Sequence, residues 1–179
     1  MPTDETIMQQ VAAGDLHQLT ELYDRHKRPL FGYLCGRTDR ATAEDLLQTS
    51  FERVIRYRAS YRGPSFRAWL YTIARNALTD QRKADGRLPV SDNADLNRVG
   101  GTTPSSLEDW ERREVRQQSR SALAALPDNY REVVEMAWKR GMKYAEIAAV
   151  LGISETNVKV RIHRATKQLR VNYAKLNRL

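Results

Sequence analysis

The chain has 179 residues, 41% of them apolar, which is enough to bury one ordinary core or two small ones. Thirty lysines and arginines against 22 acidic residues give a formal net charge of +8, which favours polyanionic partners: nucleic acid first, with a membrane surface or simple solubility as the alternatives. The single cysteine, Cys35, excludes an intramolecular disulfide and a thiolate metal cluster, and its apolar neighbours indicate a packing role. The acidic N-terminus carries no secretory signal and no apolar stretch reaches membrane-spanning length, which predicts a cytoplasmic protein.

Two amphipathic helices are predicted first along the chain. Apolar residues recur at helical spacing from Leu16 to Leu34, after Asp15 as a candidate N-cap, and Pro29 is a point where this helix kinks or divides. A second helix is expected to begin at Thr42, because the sequence Thr-Ala-Glu-Asp has the form of a capping box.

The third helix has the strongest apolar periodicity of the chain and runs from about Ser65 to Lys83. No segment shows the two-residue alternation of strands, so the fold class is predicted to be all-α. Between Ala84 and Ser106 the sequence is rich in Gly, Pro, Ser and Asp, which is typical of a linker. We therefore expect two small helical domains, residues 1–84 and 107–179, joined by a flexible linker of residues 85–106.

The second domain is predicted to hold four helices and a helix-turn-helix. The predicted helices are Leu107–Leu126, Tyr130–Lys139, Tyr144–Leu151 and Ser154 to about Leu176. Between the last two, Gly152 can take the positive φ of a tight turn, Ser154 can cap the second helix and Ala148 is small enough for a close helix crossing. The candidate shared core is Ile147, Leu151, Ile153, Val158 and Ile162.

The last helix carries the residue types that read base edges and neutralise phosphates. Residues 128–179 contain eleven basic and five acidic residues, so about +6 of the net charge lies in this part of the chain. A major-groove reader is the favoured interpretation, and a helical hairpin with a solvated basic face is the alternative. Glu155 could equally be a favourable charge at a helix start. The candidate DNA-contacting residues are Ser154, Glu155, Thr156, Asn157, Lys159, Arg161 and Arg164.

Two further segments carry a specific resemblance. Residues 44–54 and 65–76 resemble region two of the extracytoplasmic-function (group 4) sigma factors of the sigma-70 family, and residues 122–127 with 144–170 are similar to region four. The resemblance covers about residues 16–170 in the expected order. One departure is Thr49-Ser50, where relatives usually carry a glutamate after the glutamine.

The resemblance implies an alternative sigma factor that binds core RNA polymerase, recognises the promoter minus-thirty-five and minus-ten elements and promotes DNA melting. Region two would dock on the clamp helices of the largest polymerase subunit, region four would meet the flap of the second-largest, and an anti-sigma factor is an expected partner. The implied polymerase-binding residues are Asp45, Leu46, Gln48, Phe51 and Arg53. The implied minus-ten residues are Tyr61, Arg62, Ser65, Arg67, Arg75 and Asn76, and the minus-thirty-five residues are those of the last helix given above.

Several of these residues have a second interpretation. Leu46 and Phe51 could be intramolecular core, Trp69 is favoured as core, and Arg67 and Arg75 could belong to a solvated face. The histidines are scattered and no phosphate-binding glycine loop or zinc motif is present, so we expect neither catalysis nor a cofactor or metal. The rival hypothesis is a stand-alone regulator whose first domain senses a ligand or dimerises and whose second binds an operator.

Overall fold

The computed structural model describes the backbone of residues 1–86 and 107–176, and these residues form helices, turns and loops without a strand. This confirms the predicted all-α class. A π-helical turn, Glu135–Lys139, follows directly on the sixth helix. The α-helices of the described residues are α1 Asp4–Ala12, α2 Leu19–Cys35, α3 Arg40–Tyr57, α4 Phe66–Ala84, α5 Leu107–Ala124, α6 Asp128–Val134, α7 Tyr144–Leu151 and α8 Glu155–Leu176. None of them is both long enough and apolar enough to cross a membrane.

Helix α1 was not predicted. Its N-cap is Thr3, whose hydroxyl accepts a hydrogen bond from the Thr6 amide at 3.2 Å. Its apolar side chains Ile7, Met8 and Val11 are fully buried, so the N-terminal segment contributes to the core. Three large apolar residues in nine give too short a pattern to separate a helix from a loop, which is why the sequence alone did not reveal it.

The predicted starts of the first two helices are wrong. Asp15 makes no side-chain capping bond, since a 3-10 turn, Leu16–Gln18, intervenes before α2 begins. Helix α3 starts two residues before Thr42, because the Asp39 carboxylate accepts hydrogen bonds from both the Thr42 amide, at 3.0 Å, and the Thr42 hydroxyl, at 2.8 Å. Asp39 is therefore the N-cap of α3, and Thr42 lies in the first turn of the helix.

The predicted start of α6 at Tyr130 is also wrong, because this helix begins two residues earlier, at Asp128, whereas the other predicted starts agree within one residue. Ser65 caps α4 by accepting a hydrogen bond from the Ala68 amide at 3.2 Å. Helix α2 continues through Pro29 without dividing. Helices α2, α3 and α4 pack on one another around a core that includes Leu22, Leu30 and Phe66, each with no exposed surface.

The helix-turn-helix is present as predicted. Helix α7 has the predicted bounds, Gly152 takes a left-handed φ of 64° after it, and the Ser154 hydroxyl accepts a hydrogen bond from the Asn157 amide at 3.1 Å. Ile147 and Val158 have no exposed surface and form the centre of the helix crossing. Helix α8 also packs on α5 and α6, which joins the four helices into one body.

Residues 1–86 are called the front module below and residues 107–176 the back module. They are in direct contact, chiefly where α4 packs on α7. The domain division at residues 84 and 107 stays a prediction, and residues 87–106 of the predicted linker lie outside the described residues. The contact between the modules decides which candidate site residues are accessible.

Candidate polymerase and nucleic-acid interfaces

The candidate recognition helix presents its polar residues away from the core. Val158, Ile162 and Ala165 are buried against the other helices of the back module, which fixes the opposite face of α8 outward. The candidate residues Ser154, Glu155, Thr156, Asn157, Lys159 and Arg164 are exposed, and Arg161 is half-buried. Amides, hydroxyls and guanidinium groups on one exposed helix face have the chemistry required to contact base edges and phosphates in a major groove.

The minus-ten candidates are not all accessible. Asn76 is exposed on α4. Arg62 is also exposed, but its Nη1 donates to the backbone oxygens of Ala59 and Tyr61, both at 2.8 Å, which holds its loop together. A residue predicted to contact DNA therefore has a local structural role as well.

Tyr61 is a core residue in this structure. It is 6% exposed, and its ring centroid lies 5.1 Å from that of Trp69 and 6.4 Å from that of Phe66. Burial, with the nearby Glu5 and Asp4 carboxylates, raises the pKa of its hydroxyl to about 12. The hydroxyl oxygen has no hydrogen-bond partner among the described residues. Tyr61 therefore offers no free ring face for a base in this conformation.

Three minus-ten candidates contact the back module. The Ser65 hydroxyl donates to Glu146 Oε1 at 2.6 Å, and Arg67 Nη2 lies 2.6 Å from Glu146 Oε2. Arg75 Nε lies 3.4 Å from Glu132 Oε1. The structure therefore brings these side chains together with carboxylates that the sequence analysis did not select.

The polymerase-binding candidates on α3 divide into an exposed and a buried group. Asp45 and Gln48 are exposed. Leu46 and Phe51 are only 4% and 6% exposed, so the core interpretation holds for both in this structure. Arg53 forms an ion pair with Asp80 of α4, with 2.9 Å between Nη1 and Oδ2. Exposed surface for a partner is thus provided by the polar residues of α3.

The two residues that depart from the family pattern, Thr49 and Ser50, differ in burial. Ser50 is fully buried and its hydroxyl donates to the Leu46 carbonyl oxygen at 2.6 Å, while Thr49 is half-buried. A buried hydroxyl bonded to its own helix backbone is satisfied without an external partner. Ser50 is therefore part of the interior of the front module, and only Thr49, which directly follows Gln48, keeps exposed surface for a partner.

Comparison with known proteins identifies both modules. The model for Sigma-70 region 2 matches residues 22–88, and the model for Sigma-70 region 4 matches residues 116–169. The chain is 33% identical over 169 residues to the ECF RNA polymerase sigma factor SigL of Mycobacterium tuberculosis, covering 92% of this chain and 94% of SigL. It is 29% identical over 158 residues to the ECF RNA polymerase sigma factor SigM of Bacillus subtilis, covering 87% of this chain and 94% of SigM.

Solved structures agree with these matches. CnrH, solved in complex with the cytosolic domain of CnrY, superposes with a TM-score of 0.66 at 26% identity, over 94% of this chain and 95% of CnrH. Two region models in the same order as in the resemblance, together with relatives matched over nearly their whole length, define the class. The chain belongs to the extracytoplasmic-function sigma factors of the sigma-70 family.

Proposed function

We propose that this chain is an alternative sigma factor that binds core RNA polymerase, recognises the minus-thirty-five and minus-ten promoter elements and promotes DNA melting. The observation that carries the proposal is the occurrence, in one all-helical chain, of sigma region 2 followed by a region 4 whose candidate recognition helix has an exposed polar face. Each module is small and would bind DNA weakly alone. Joined through one large enzyme, the two contacts would gain affinity through effective concentration.

The back module would bind the minus-thirty-five element through α8. Base contacts would come from the first turn of the helix, where Glu155, Thr156 and Asn157 are exposed, and phosphate contacts from the basic residues that follow. Ser154 is the N-cap, so its role would be to fix where the helix begins. The back module would also meet the flap of the second-largest polymerase subunit.

The front module would bind polymerase through the polar face of α3. Asp45 and Gln48 are exposed and lie one turn apart, so both are available to the clamp helices of the largest subunit. Leu46 and Phe51 would act indirectly, by holding α3 in place from the core side. Arg53 would contribute only if the partner competes with Asp80 for its guanidinium group.

An anti-sigma factor is the proposed regulator. CnrH is of similar fold and was solved with the cytosolic domain of CnrY bound. A partner that covered the exposed polar face of α3 would block the polymerase contact by occupying the same surface. Loss of binding to such a partner on substitution of Asp45 or Gln48 would support a shared surface.

The rival function, a stand-alone regulator, is separated by one binding experiment. The purified chain is mixed with core polymerase and passed over a size-exclusion column. A sigma factor co-elutes in a one-to-one complex and binds a promoter tightly only in that complex. A regulator elutes apart from polymerase and binds a palindromic operator without it.

Asn76 tests the minus-ten assignment. Its exposed amide on α4 is free to hydrogen-bond an unpaired base, so Asn76→Ala should reduce strand opening by the equivalent of one lost base contact, about 1–3 kcal/mol. The measurement is permanganate reactivity of thymines in the opened promoter. Thr79→Ala, also exposed on α4 and bonded only to its own helix backbone, is the control. Unchanged footprints for Asn76→Ala would remove this residue from the site.

A further inference from the structure

The contact between the modules is built from opposite charges. Arginines of the front module, in the turn after α2 and on α4, meet glutamates of the back module, on α6, the π-helical turn and α7. The bridging pairs are Arg37 with Glu132 and Glu135, Arg67 with Glu146, and Arg75 with Glu132. None of these pairs is close in sequence, so each exists only because the modules lie against each other.

Arg67 is the centre of one half of the contact. Its Nη2 lies 2.6 Å from Glu146 Oε2, and its Nη1 donates to the Arg140 carbonyl oxygen at 3.1 Å. Ser65 adds a 2.6 Å hydrogen bond to the other oxygen of Glu146. A guanidinium group that binds both a carboxylate and a backbone oxygen has little donor capacity left for a phosphate.

Glu146 is held by both modules at once. Besides Arg67 and Ser65, its Oε2 accepts from the Lys143 amide at 2.8 Å, which caps α7. Partial burial by itself raises the pKa of Glu146, but the hydrogen bonds from Arg67, Ser65 and the Lys143 backbone outweigh it and leave the pKa below its ordinary value. The carboxylate is therefore ionised at neutral pH and binds Arg67 as an anion.

A second cluster surrounds Glu132. Tyr33 donates to Glu132 Oε1 at 3.0 Å and Arg75 Nε lies 3.4 Å from the same oxygen. Arg37 stacks over the Tyr33 ring, 3.7 Å from its centroid, and its Nη1 lies 3.1 Å from Glu135 Oε2. Beside this cluster is a cleft of about 190 Å³ lined in part by Arg75 and Arg82, so the surface that the glutamates cover is strongly basic.

We propose that this packed arrangement of the two modules, called closed below, masks the minus-ten candidates of the front module. Glutamates of the back module bind Ser65, Arg67 and Arg75 in place of DNA phosphates. This inference rests on the proposed function, because it assigns a regulation to the same site. A carboxylate and a phosphate compete for the same guanidinium donors, so DNA and the back module cannot hold them together.

In the closed chain, the other candidate binding surfaces are exposed. Asp45 and Gln48 on α3 and the DNA-facing side of α8 are exposed while Arg67 and Arg75 are paired. Polymerase can therefore bind first, and separation of the modules on polymerase would then release the arginines for the melted strand. Free protein would be kept from binding single strands at random, which is the benefit of such a device.

The decisive measurement is the distance between the modules in the full chain. Exposed Thr20 and Val171 are replaced by cysteine in a Cys35→Ser background and labelled for single-molecule energy transfer. Labelled protein with the native interface should show mainly one population, in which the two labels are a short distance apart. The Glu132→Gln, Glu146→Gln double variant should raise the ratio of open to closed molecules by about fivefold or more. Glutamine at position 146 can still cap α7.

A matched control removes the same charge elsewhere. Asp24 and Glu44 are exposed and pair only within their own helices, so Asp24→Asn, Glu44→Gln changes net charge equally without touching the interface. Binding of a fluorescent twelve-nucleotide oligodeoxythymidine is measured for both double variants. The interface variant should bind several-fold tighter than the control. Equal binding, or an unchanged distance distribution in the interface variant, would overturn the proposal.

A second variant opens the interface without removing a carboxylate. A Cβ atom at Gly32 would lie 3.2 Å from Arg140 Nη2, so Gly32→Lys adds bulk and a like charge at the contact, whereas Gly32→Ala adds only a methyl group that the Arg140 side chain can avoid. Gly32→Lys should open the chain and Gly32→Ala should leave it closed. This pair decides the matter if circular dichroism shows the glutamine variant to be unfolded, and a closed Gly32→Lys chain would then contradict masking.

The same proteins distinguish masking from the proposed function. If wild-type protein starts transcription with core polymerase but both interface variants show the same distance distribution as the wild type, masking is wrong and the function stands. If the distances respond but no variant starts transcripts with core polymerase, the contact is a real structural switch and the sigma-factor function is wrong.

Discussion

The two candidate DNA-binding surfaces are made from the same kinds of side chain, yet the fold treats them differently. The polar candidates on α8 and at its N-cap are exposed, except for the half-buried Arg161, and none of them pairs with the front module in the described residues. On the front module, Tyr61 is buried and Arg67 and Arg75 are paired with glutamates. Residue type alone therefore indicates what a surface could bind, and burial decides whether it is available.

The largest expected effect tests the exposed surface. Arg161→Ala with Arg164→Ala should weaken binding of the polymerase complex to the upstream element by about 1–3 kcal/mol for each lost contact. Both side chains lie off the buried stripe of α8, so the thermal unfolding temperature should hardly change. The measurement is promoter affinity by fluorescence anisotropy, with exposed Gln168→Ala as the control. Unaltered affinity and promoter choice would contradict the recognition-helix assignment.

The next effect tests the turn that sets α8 against α7. Gly152 has a φ of 64°, where a side chain is strained, so Gly152→Ala should lower the free energy of unfolding by about 1–2 kcal/mol. Gly36→Ala is the matched control, because Gly36 has a φ of −74° and an added Cβ would make only ordinary contacts. The measurement is urea unfolding. Equal effects of the two substitutions would show that the turn conformation is not what Gly152 supplies.

A smaller effect tests whether the charge of Asp4 stabilises the front module. Burial alone raises the pKa of Asp4, but hydrogen bonds from Arg25 and His26 outweigh it and lower the pKa below its ordinary value. A depressed folded-state pKa stabilises the fold above the unfolded value, about 3.9, and that contribution is lost as pH falls through the folded value. Asp4→Asn should therefore cost about 1 kcal/mol or less at pH 7.

The pH dependence is the informative part of that experiment. The difference in unfolding free energy between wild type and Asp4→Asn should shrink as pH falls from 5 towards about 3. Asp24→Asn is the control, since Asp24 is exposed and pairs only with Lys27 of its own helix, at 2.5 Å. A difference that stayed constant over this range would mean that Asp4 acts by packing and not by its charge.

The smallest effect tests whether Tyr61 is core. Its buried hydroxyl has no partner within the described part of the chain, so Tyr61→Phe should leave stability unchanged or raise it by about 0.5–1 kcal/mol. Tyr57→Phe, at an exposed tyrosine, is the matched control and should be neutral. Thermal unfolding of both variants provides the comparison. A clear loss of stability for Tyr61→Phe alone would reveal a hydrogen bond that this conformation does not contain.

The sequence predicted the parts of the fold that depend on local order. Gly152, Ser154 and the apolar stripe of α8 lie within a few residues of one another, and turn, cap and core point to the same motif. The start of α3 was missed because Asp39 and Thr42 are both plausible caps, and only the bond geometry separates them. Helix α1 was missed because it is short and gains its stability from burial against the rest of the front module.

The candidate site could be predicted only in part, for a physical reason. The partners of Ser65, Arg67 and Arg75 are Glu132 and Glu146, between 57 and 81 residues away along the chain. No periodicity or capping rule connects positions so far apart, because tertiary packing alone brings them together. Two glutamates that look like ordinary solvated charges in the sequence are, for this reason, the residues that pair with Ser65, Arg67 and Arg75 of the front module.

Run-off transcription with purified core polymerase on genomic fragments tests the central claim most directly, since it requires polymerase binding, promoter recognition and melting together. The account predicts discrete transcripts when the chain is added and none from core enzyme alone, and a loss of those transcripts with the Arg161→Ala, Arg164→Ala variant. A chain that neither co-elutes with core polymerase nor yields any new transcript would contradict it.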